Sequence, residues 1–175
     1  MGDKAGDGVW LWGPLSRWTA WLTLVTLVLD LASKWWIIHV YELEQKGRVE
    51  VLPFFDLVFV KNTGVSYSML DMAHPEWQLA LAVFAIAASV ALWIWAARLE
   101  TGAILAASLG LIIGGAIGNG IDRIVLGGVA DFVSLHAYGF YWYVFNVADV
   151  AIVAGVIGLL YDFWVTSRND AAKAS

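Results

Sequence analysis

The sequence predicts a mostly helical membrane protein, an all-α fold with a small β part on one side of four transmembrane helices. Hydrophobic residues make up 61% of the 175 residues and charged residues only 14%, against about 25% charged in an average globular chain. The mean hydropathy is +0.73, and a soluble fold has too much surface to cover with so few charges. The net charge of −5 argues against a nucleic-acid partner. The absence of cysteine excludes disulfides, thiolate zinc sites and a cysteine nucleophile.

Four apolar stretches are long enough to cross a bilayer, which takes about 20 residues. The second and third contain no Asp, Glu, Lys or Arg, and only residues 98–100 separate them, so they form a helical hairpin. The first contains Asp30 and Lys34, and the fourth contains Asp149 and Asp162. We expect the spans at approximately residues 18–40, 77–97, 101–121 and 145–165, within a single membrane domain of residues 1–175.

Basic residues at the span ends predict the orientation of the chain. Four spans place both termini on one side, and Arg17, Arg98 and Arg168 flank the span ends there. We therefore expect cytoplasmic termini. The run Trp18–Leu29 has the length of a signal-peptide core, but its tryptophans and the following Asp30 favour a retained first span.

Two segments on the other side of the bundle, residues 41–76 and 122–144, carry the predicted β part. Their β-rich stretches are bounded by turn residues, as is typical of short strands. A sheet of this size needs support from the bilayer or the helices. The predicted strands are Val49–Leu52, Phe55–Val60, Val129–Val133 and Phe140–Val144.

Ionisable residues inside or beside spans are costly, and their default interpretation is functional. Asp30 and Lys34 are four residues apart on one helix, with the acid first, which is the favourable order for an ion pair. They either form a structural pair that makes the span tolerable or serve a function. Asp122 and Arg123 end the third span, where an adjacent acid and base are either interfacial structure or functional.

Asp131 and Asp149 differ because neither has an obvious basic partner nearby in the sequence. If residues 122–144 fold back as a hairpin, both carboxylates reach the same level, and two close carboxylates share a proton. One then activates a water and the other polarises a carbonyl, as in an aspartic protease. Alternatively, each is a proton-relay or structural carboxylate, and the protein is not an enzyme but a small proton-coupled carrier or ion-conducting bundle. The histidines, at positions 39, 74 and 136, show no metal-ligand spacing.

Five polar motifs follow one another along the chain: Asp30-x3-Lys34, Asn62-Thr-Gly64, Gly118-Asn119-Gly-Ile-Asp122-Arg123, Gly128-Val-Ala-Asp131-Phe132 and Phe145-Asn146-Val-Ala-Asp149. Taken in order, they resemble those of the lipoprotein signal peptidase family, the bacterial signal peptidase II enzymes. The resemblance covers about residues 18–165, and the last two motifs are the specific ones.

This resemblance implies an aspartyl endopeptidase of the bacterial inner membrane, with four transmembrane helices and an outer, periplasmic-side β-cradle. Such enzymes cut lipid-modified prolipoproteins just before the diacylglyceryl cysteine and need no metal or organic cofactor. The expected partners are this substrate and membrane lipid, the active site faces outward, and we expect a monomer. Asp131 and Asp149 match the catalytic positions. Asn62, Gly64, Asn119, Arg123 and Asn146 match substrate-binding positions, and Asp30, Lys34 and Asp122 match structural polar ones.

The chain departs from the family pattern in two places. Val65-Ser66-Tyr67 follows Gly64 where the family commonly has Ala-Ala-Phe, and Gly120 replaces a leucine in Gly-Asn-Leu-Ile-Asp-Arg. Neither change touches a predicted catalytic group. Both leave the conformation of residues 62–75 and the details of the substrate pocket open.

Overall fold

A computed structural model describes residues 11–64, 74–100 and 102–174, and the departure at 65–67 lies outside them. The predicted architecture is confirmed: within the described residues, four helices are long and apolar enough to cross a membrane, and one antiparallel sheet lies at one end of them. The elements are α1 (Ser16–Trp35), which continues as a π-helical turn (Trp36–Val40), α2 (Leu43–Lys46), β1 (Val49–Leu52), β2 (Phe55–Asn62), α3 (Pro75–Ala97), α4 (Ala103–Leu126), β3 (Val129–Ala137), β4 (Phe140–Tyr141) and α5 (Val147–Ala174).

Helix α4 is the centre of the bundle, and α1, α3 and α5 pack against it. Small residues allow the close approach, as is common between membrane helices. A Cβ at Gly114 would lie 2.7 Å from the Thr23 carbonyl oxygen of α1, and one at Gly115 would lie 2.6 Å from the Ala148 carbonyl oxygen of α5. Thr23 Oγ1 also donates to the Gly110 carbonyl at 3.1 Å. The glycines of the 110–120 stretch therefore set the packing distance of three helices.

Helix α4 runs to Leu126, five residues beyond the predicted end at 121. The predicted apolar span ends at 121 because charged residues follow it at 122 and 123. Asp122 is buried in the protein interior, so the helix needs no water there. It ends instead at Gly127, whose φ of 67° lies in the left-handed region that favours glycine.

The sheet has the order β1-β2-β3-β4, with all neighbours antiparallel. Strand β3 is longer than predicted and β4 is shorter. After Tyr141, Trp142 N donates to the Leu135 carbonyl, and the chain next pairs where Phe145 bridges to Val133. The residues between these two points leave the ladder, which is why the predicted strand to Val144 does not form. A small core of Ile37, Leu43 and Phe132 ties the sheet to the end of α1.

Candidate active site

Asn146 joins the two predicted catalytic aspartates. Its side-chain Nδ2 donates to Asp131 Oδ1 at 2.7 Å, and its main-chain N donates to Asp149 Oδ2 at 3.1 Å. Asp131 lies on β3 and is buried, whereas Asp149 lies in the first turn of α5 and is half-buried. The structure thus brings both carboxylates to one residue, where ionisation of either opposes ionisation of the other. We call Asp131 and Asp149 the aspartate pair.

The motif Asn146-Val-Ala-Asp149 forms a reciprocal cap at the start of α5. Asn146 Oδ1 accepts from Asp149 N at 3.0 Å while Asp149 Oδ2 accepts from Asn146 N. This is the arrangement of a capping box, which satisfies two main-chain donors that the helix leaves free. The cap fixes the orientation of Asp149. Its Asn-x-x-Asp signal was present in the sequence and was not used in the prediction.

Burial is the main reason why the pKa of Asp131 rises from 3.8 to about 6. The negative charge of Asp149 raises it further, whereas hydrogen bonds from Asn62 and Asn146 and the charge of Lys34 lower it. Asn62 Nδ2 donates to Asp131 Oδ2 at 3.1 Å. In the β2–β3 ladder Asp131 pairs with Val60, so Asn62 lies two residues away on the same face of the sheet. A carboxyl group with this pKa can hold and release a proton near neutral pH.

Lys34 is surrounded by three acceptors. Its Nζ lies 2.7 Å from Asp30 Oδ2, 2.9 Å from Asp122 Oδ2 and 3.0 Å from Asn119 Oδ1. Asp30 and Lys34 thus form the ion pair that their i,i+4 spacing allows. Asp122 is its third member rather than an interfacial partner of the adjacent Arg123. We call Asp30, Lys34 and Asp122 the lysine cluster.

Asn119 connects the lysine cluster to the aspartate pair. An ammonium group only donates, so the oxygen of Asn119 faces Lys34 and its Nδ2 donates to Asp149 Oδ1 at 2.8 Å. Asn146 Nδ2 also donates to Asn119 Oδ1, at 3.1 Å. The cluster further holds the start of α5, since Asp30 Oδ1 accepts from Ala148 N at 2.9 Å.

The other predicted substrate-binding residues, Arg123 and Gly64, bond to residues that hold the aspartate pair. Arg123 Nη1 donates to the Asn119 carbonyl at 3.1 Å, and its buried Nε has no hydrogen-bond partner among the described residues. Gly64 connects to the aspartate pair through Asn62, because its main-chain N donates to Asn62 Oδ1 at 3.2 Å. Arg123 is therefore the member of the set with a buried donor left for a ligand.

A cavity of about 760 Å³ opens beside Asp149 and is mostly apolar. This volume is typical of a site for a small molecule or a short peptide segment. Asp149 lines the cavity, whereas Asp131 is buried and is not one of the lining residues. The walls come from α5, from the β3–β4 hairpin and from the residues that follow β4, and they include Val150, Val153, Ile157, Phe140, Trp142 and Tyr143.

A second polar group in the sheet was not predicted. Arg48 Nη1 lies 2.6 Å from Asp56 Oδ2, and His136 Nε2 lies 3.2 Å from Asp56 Oδ1. The hydrogen bond from Arg48 is the largest reason why the pKa of Asp56 is below its usual value. The rings of His136 and Tyr141 are stacked with centroids 4.7 Å apart, so this group fixes the β3–β4 hairpin. No local pattern links residues 48, 56 and 136.

Comparisons with known proteins agree with the resemblance. The family model described as signal peptidase (SPase) II matches residues 22–165. A lipoprotein signal peptidase of Rhodopseudomonas palustris is 53% identical over 155 residues, which cover 86% of this chain and 93% of the relative. One of Nitrobacter hamburgensis is 48% identical over the same shares. A solved bacterial membrane enzyme superposes with a TM-score of 0.71 at 23% identity, covering 86% of this chain and 90% of the other.

Proposed function

Because this chain belongs to the signal peptidase II family, we propose that it removes the signal peptide from diacylglyceryl-modified prolipoproteins through the aspartate pair. Cleavage falls just before the lipidated cysteine. The observation that carries the proposal is the bridge through Asn146, which holds Asp131 and Asp149 at one point beside the cavity. Two carboxylates so placed retain one proton between them, as acid–base catalysis of peptide hydrolysis requires.

Asp149 is the base and Asp131 is the acid. Ionised Asp149 takes a proton from a water, whose oxygen forms a bond to the carbonyl carbon, while Asp131 gives its proton to the carbonyl oxygen. The C–N bond of the tetrahedral intermediate then breaks. Asp149 passes its proton to the leaving nitrogen, and Asp131 recovers a proton from the gem-diol hydroxyl. The assignment rests on the donors that Asp149 receives from Asn119 and the α5 cap, and on the elevated pKa of Asp131.

Arg123 binds the substrate rather than the catalytic carboxylates. Its buried Nε reaches no acceptor in the described part of the chain, and a carbonyl of the extended substrate supplies one. Asn62 and Asn146 hold the carboxylates of the pair, and Asn119 orients Asp149. The apolar cavity accepts the side chains next to the scissile bond.

The protein works in the inner membrane, with cytoplasmic termini and the sheet on the outer side. Arg17, Arg98 and Arg168 near the span ends at the terminal side support this orientation. The lipid chains of the substrate stay in the bilayer while the scissile peptide reaches the aspartate pair. A topology reporter fused after Arg168 should be active only when it is of the cytoplasmic type.

A cleavage assay with purified, detergent-solubilised protein tests the proposal. A diacylglyceryl-modified prolipoprotein should be cut before the modified cysteine, and the same protein with Ser in place of that cysteine should stay intact. Asp131→Asn protein that passes a folding check should be inactive. Equal cleavage of the unmodified substrate would contradict the substrate assignment. Absence of any cleavage would contradict the peptidase function and favour the alternative that the carboxylates serve a proton-coupled carrier.

A further inference from the structure

Gln78 is a buried amide near the start of the mostly apolar helix α3. It lies in the first turns of α3, and its relative exposure is only 1%. A primary amide is costly to bury without hydrogen bonds. Its Nε2 donates to the main-chain carbonyl of Thr63, fifteen residues earlier in the chain. Thr63 directly follows β2, so this bond joins α3 to the end of the strand.

The Gln78 bond ends on Thr63, and the residues on either side of Thr63, Asn62 and Gly64, form a hydrogen-bonded turn. Gly64 N donates to Asn62 Oδ1 at 3.2 Å, which is the pattern of an Asx turn around Thr63. With its oxygen committed to Gly64, the amide of Asn62 has one orientation left, in which Nδ2 points to Asp131 Oδ2 at 3.1 Å. A continuous path therefore runs from Gln78 through the turn to the acid of the aspartate pair.

We propose that Gln78 is a positioning residue that holds the Thr63 turn and thereby aims the Asn62 donor at Asp131. The proposal rests on the function proposed above. Gln78 does not line the cavity, so it acts through Asn62 rather than on the substrate. Strand pairing of Asn62 with Val129 fixes the start of the turn, and Gln78 fixes its middle.

Loss of the Gln78 bond has two consequences that a purely structural role lacks. The Asn62 donor moves away from Asp131, and that donor favours the ionised carboxylate. Asp131 then binds its proton more tightly, and the alkaline limb of the pH–rate profile moves to higher pH. The rate falls because the acid is less well oriented, whereas substrate affinity changes little.

The test compares Gln78→Met, which keeps the length of the side chain but cannot donate, with Gln78→Glu, which cannot donate when ionised. The control is Gln45→Met, the same change at an exposed glutamine of α2. We expect both Gln78 variants to lose kcat by about 10-fold with KM nearly unchanged. The alkaline limb should shift upward in Gln78→Met, and Gln45→Met should match the wild type.

Two further proteins separate this proposal from the function on which it rests. In an Asn62→Ala background, Gln78→Met should cause no further loss, because both act on the same donor. A further loss there, or an unchanged kcat and pH profile in both folded Gln78 variants while Asp131→Asn is inactive, would overturn the positioning role alone. An active Asp131→Asn protein would overturn the proposed function together with it.

Discussion

The lysine cluster and the aspartate pair lie side by side and share Asn119, yet they treat buried carboxylates in opposite ways. In the cluster, the ammonium of Lys34 lies within 3.0 Å of acceptors on Asp30, Asp122 and Asn119. In the aspartate pair, the donors found in the described part of the chain are neutral amides. The cluster bonds its carboxylates directly to a cation, whereas the pair bonds its carboxylates to neutral amides and meets the charges of Lys34 and Arg123 without an ion pair among the described residues.

This difference supports a structural role for the cluster and the proposed chemical role for the pair. The carboxylates of the cluster bond directly to an ammonium group and fix the elements that carry them, which here are α1, α4 and the start of α5. Asp131, buried among neutral donors, has a raised pKa and can exchange a proton near neutral pH. Neutralising a charge should therefore harm stability in the cluster and harm only activity in the pair.

The largest expected effect on stability is that of Lys34→Met. It leaves two buried carboxylates without their cation, which costs about 3–5 kcal/mol of unfolding free energy. Adding Asp30→Asn removes one of those charges, so the double variant should lose less than the sum of the single losses. Thermal unfolding in detergent measures both, with exposed Lys46→Met as the control. If the losses of the two single variants simply add in the double variant, Asp30 and Lys34 do not interact as the cluster requires.

Asp131→Asn should change the unfolding free energy in the opposite direction and stabilise the folded protein. The pKa of Asp131 is raised to about 6, so the folded state is penalised for ionising it, and the penalty grows as the pH rises from about 4 to about 6. Replacement by Asn should gain stability across that window, by at most about 3 kcal/mol. Asp56→Asn is the matched control: the pKa of Asp56 is lowered, so this variant should lose stability at neutral pH. A difference in unfolding free energy between Asp131→Asn and the wild type that does not change with pH would contradict this prediction.

Alanine substitutions at two glycines of α4 test whether the Asp30 side chain of the lysine cluster can move. A Cβ at Gly118 would overlap the Asp30 carboxylate, whereas one at Gly120 would make an ordinary 3.6 Å contact with Ala85 Cβ. Gly118→Ala should cost about 1–3 kcal/mol. Gly120→Ala should be neutral or stabilising by up to about 1 kcal/mol, because alanine favours the helix. Equal melting temperatures for the two variants would show that Asp30 moves freely.

The pH dependence of kcat/KM tests the pair without any substitution. This ratio reports the ionisation of the free enzyme. If Asp131 must carry a proton, kcat/KM falls above pH about 6 and approaches a tenfold decrease per unit. A profile that stays flat to pH 8 would assign the proton elsewhere.

Local patterns in the sequence predicted the helices, the approximate strands and the Asp30–Lys34 pair. These depend on apolar length, alternation and i,i+4 spacing, which neighbouring residues determine. The motif Asn146-x-x-Asp149 was also legible, as a capping box. The predicted convergence of Asp131 and Asp149 required a hairpin, and the structure forms it with β3 and a short β4.

The remaining features depend on tertiary contacts that carry no local signal. Asp122 belongs to the lysine cluster because α4 continues past the last purely apolar turn, and hydropathy cannot distinguish a helix that meets water from one that meets buried polar groups. The bond of Gln78 to the Thr63 carbonyl joins residues fifteen positions apart, and no local pattern in the sequence indicates it. His136 and Asp56 are 80 residues apart, and only the β2–β3 pairing brings them together.

Cleavage by folded variants of the aspartate pair tests the central claim most directly. Asp131→Asn, Asp149→Asn and the double variant should be assayed on lipidated prolipoprotein, with Asp162→Asn in α5 as the control. Each single variant should lose about 10²–10⁴-fold or more in kcat. The double variant should be scarcely worse than either, because the two groups act as one unit, and Asp162→Asn should cut normally. An Asp149→Asn protein that melts like the wild type and still cleaves at a near-normal rate would contradict the account.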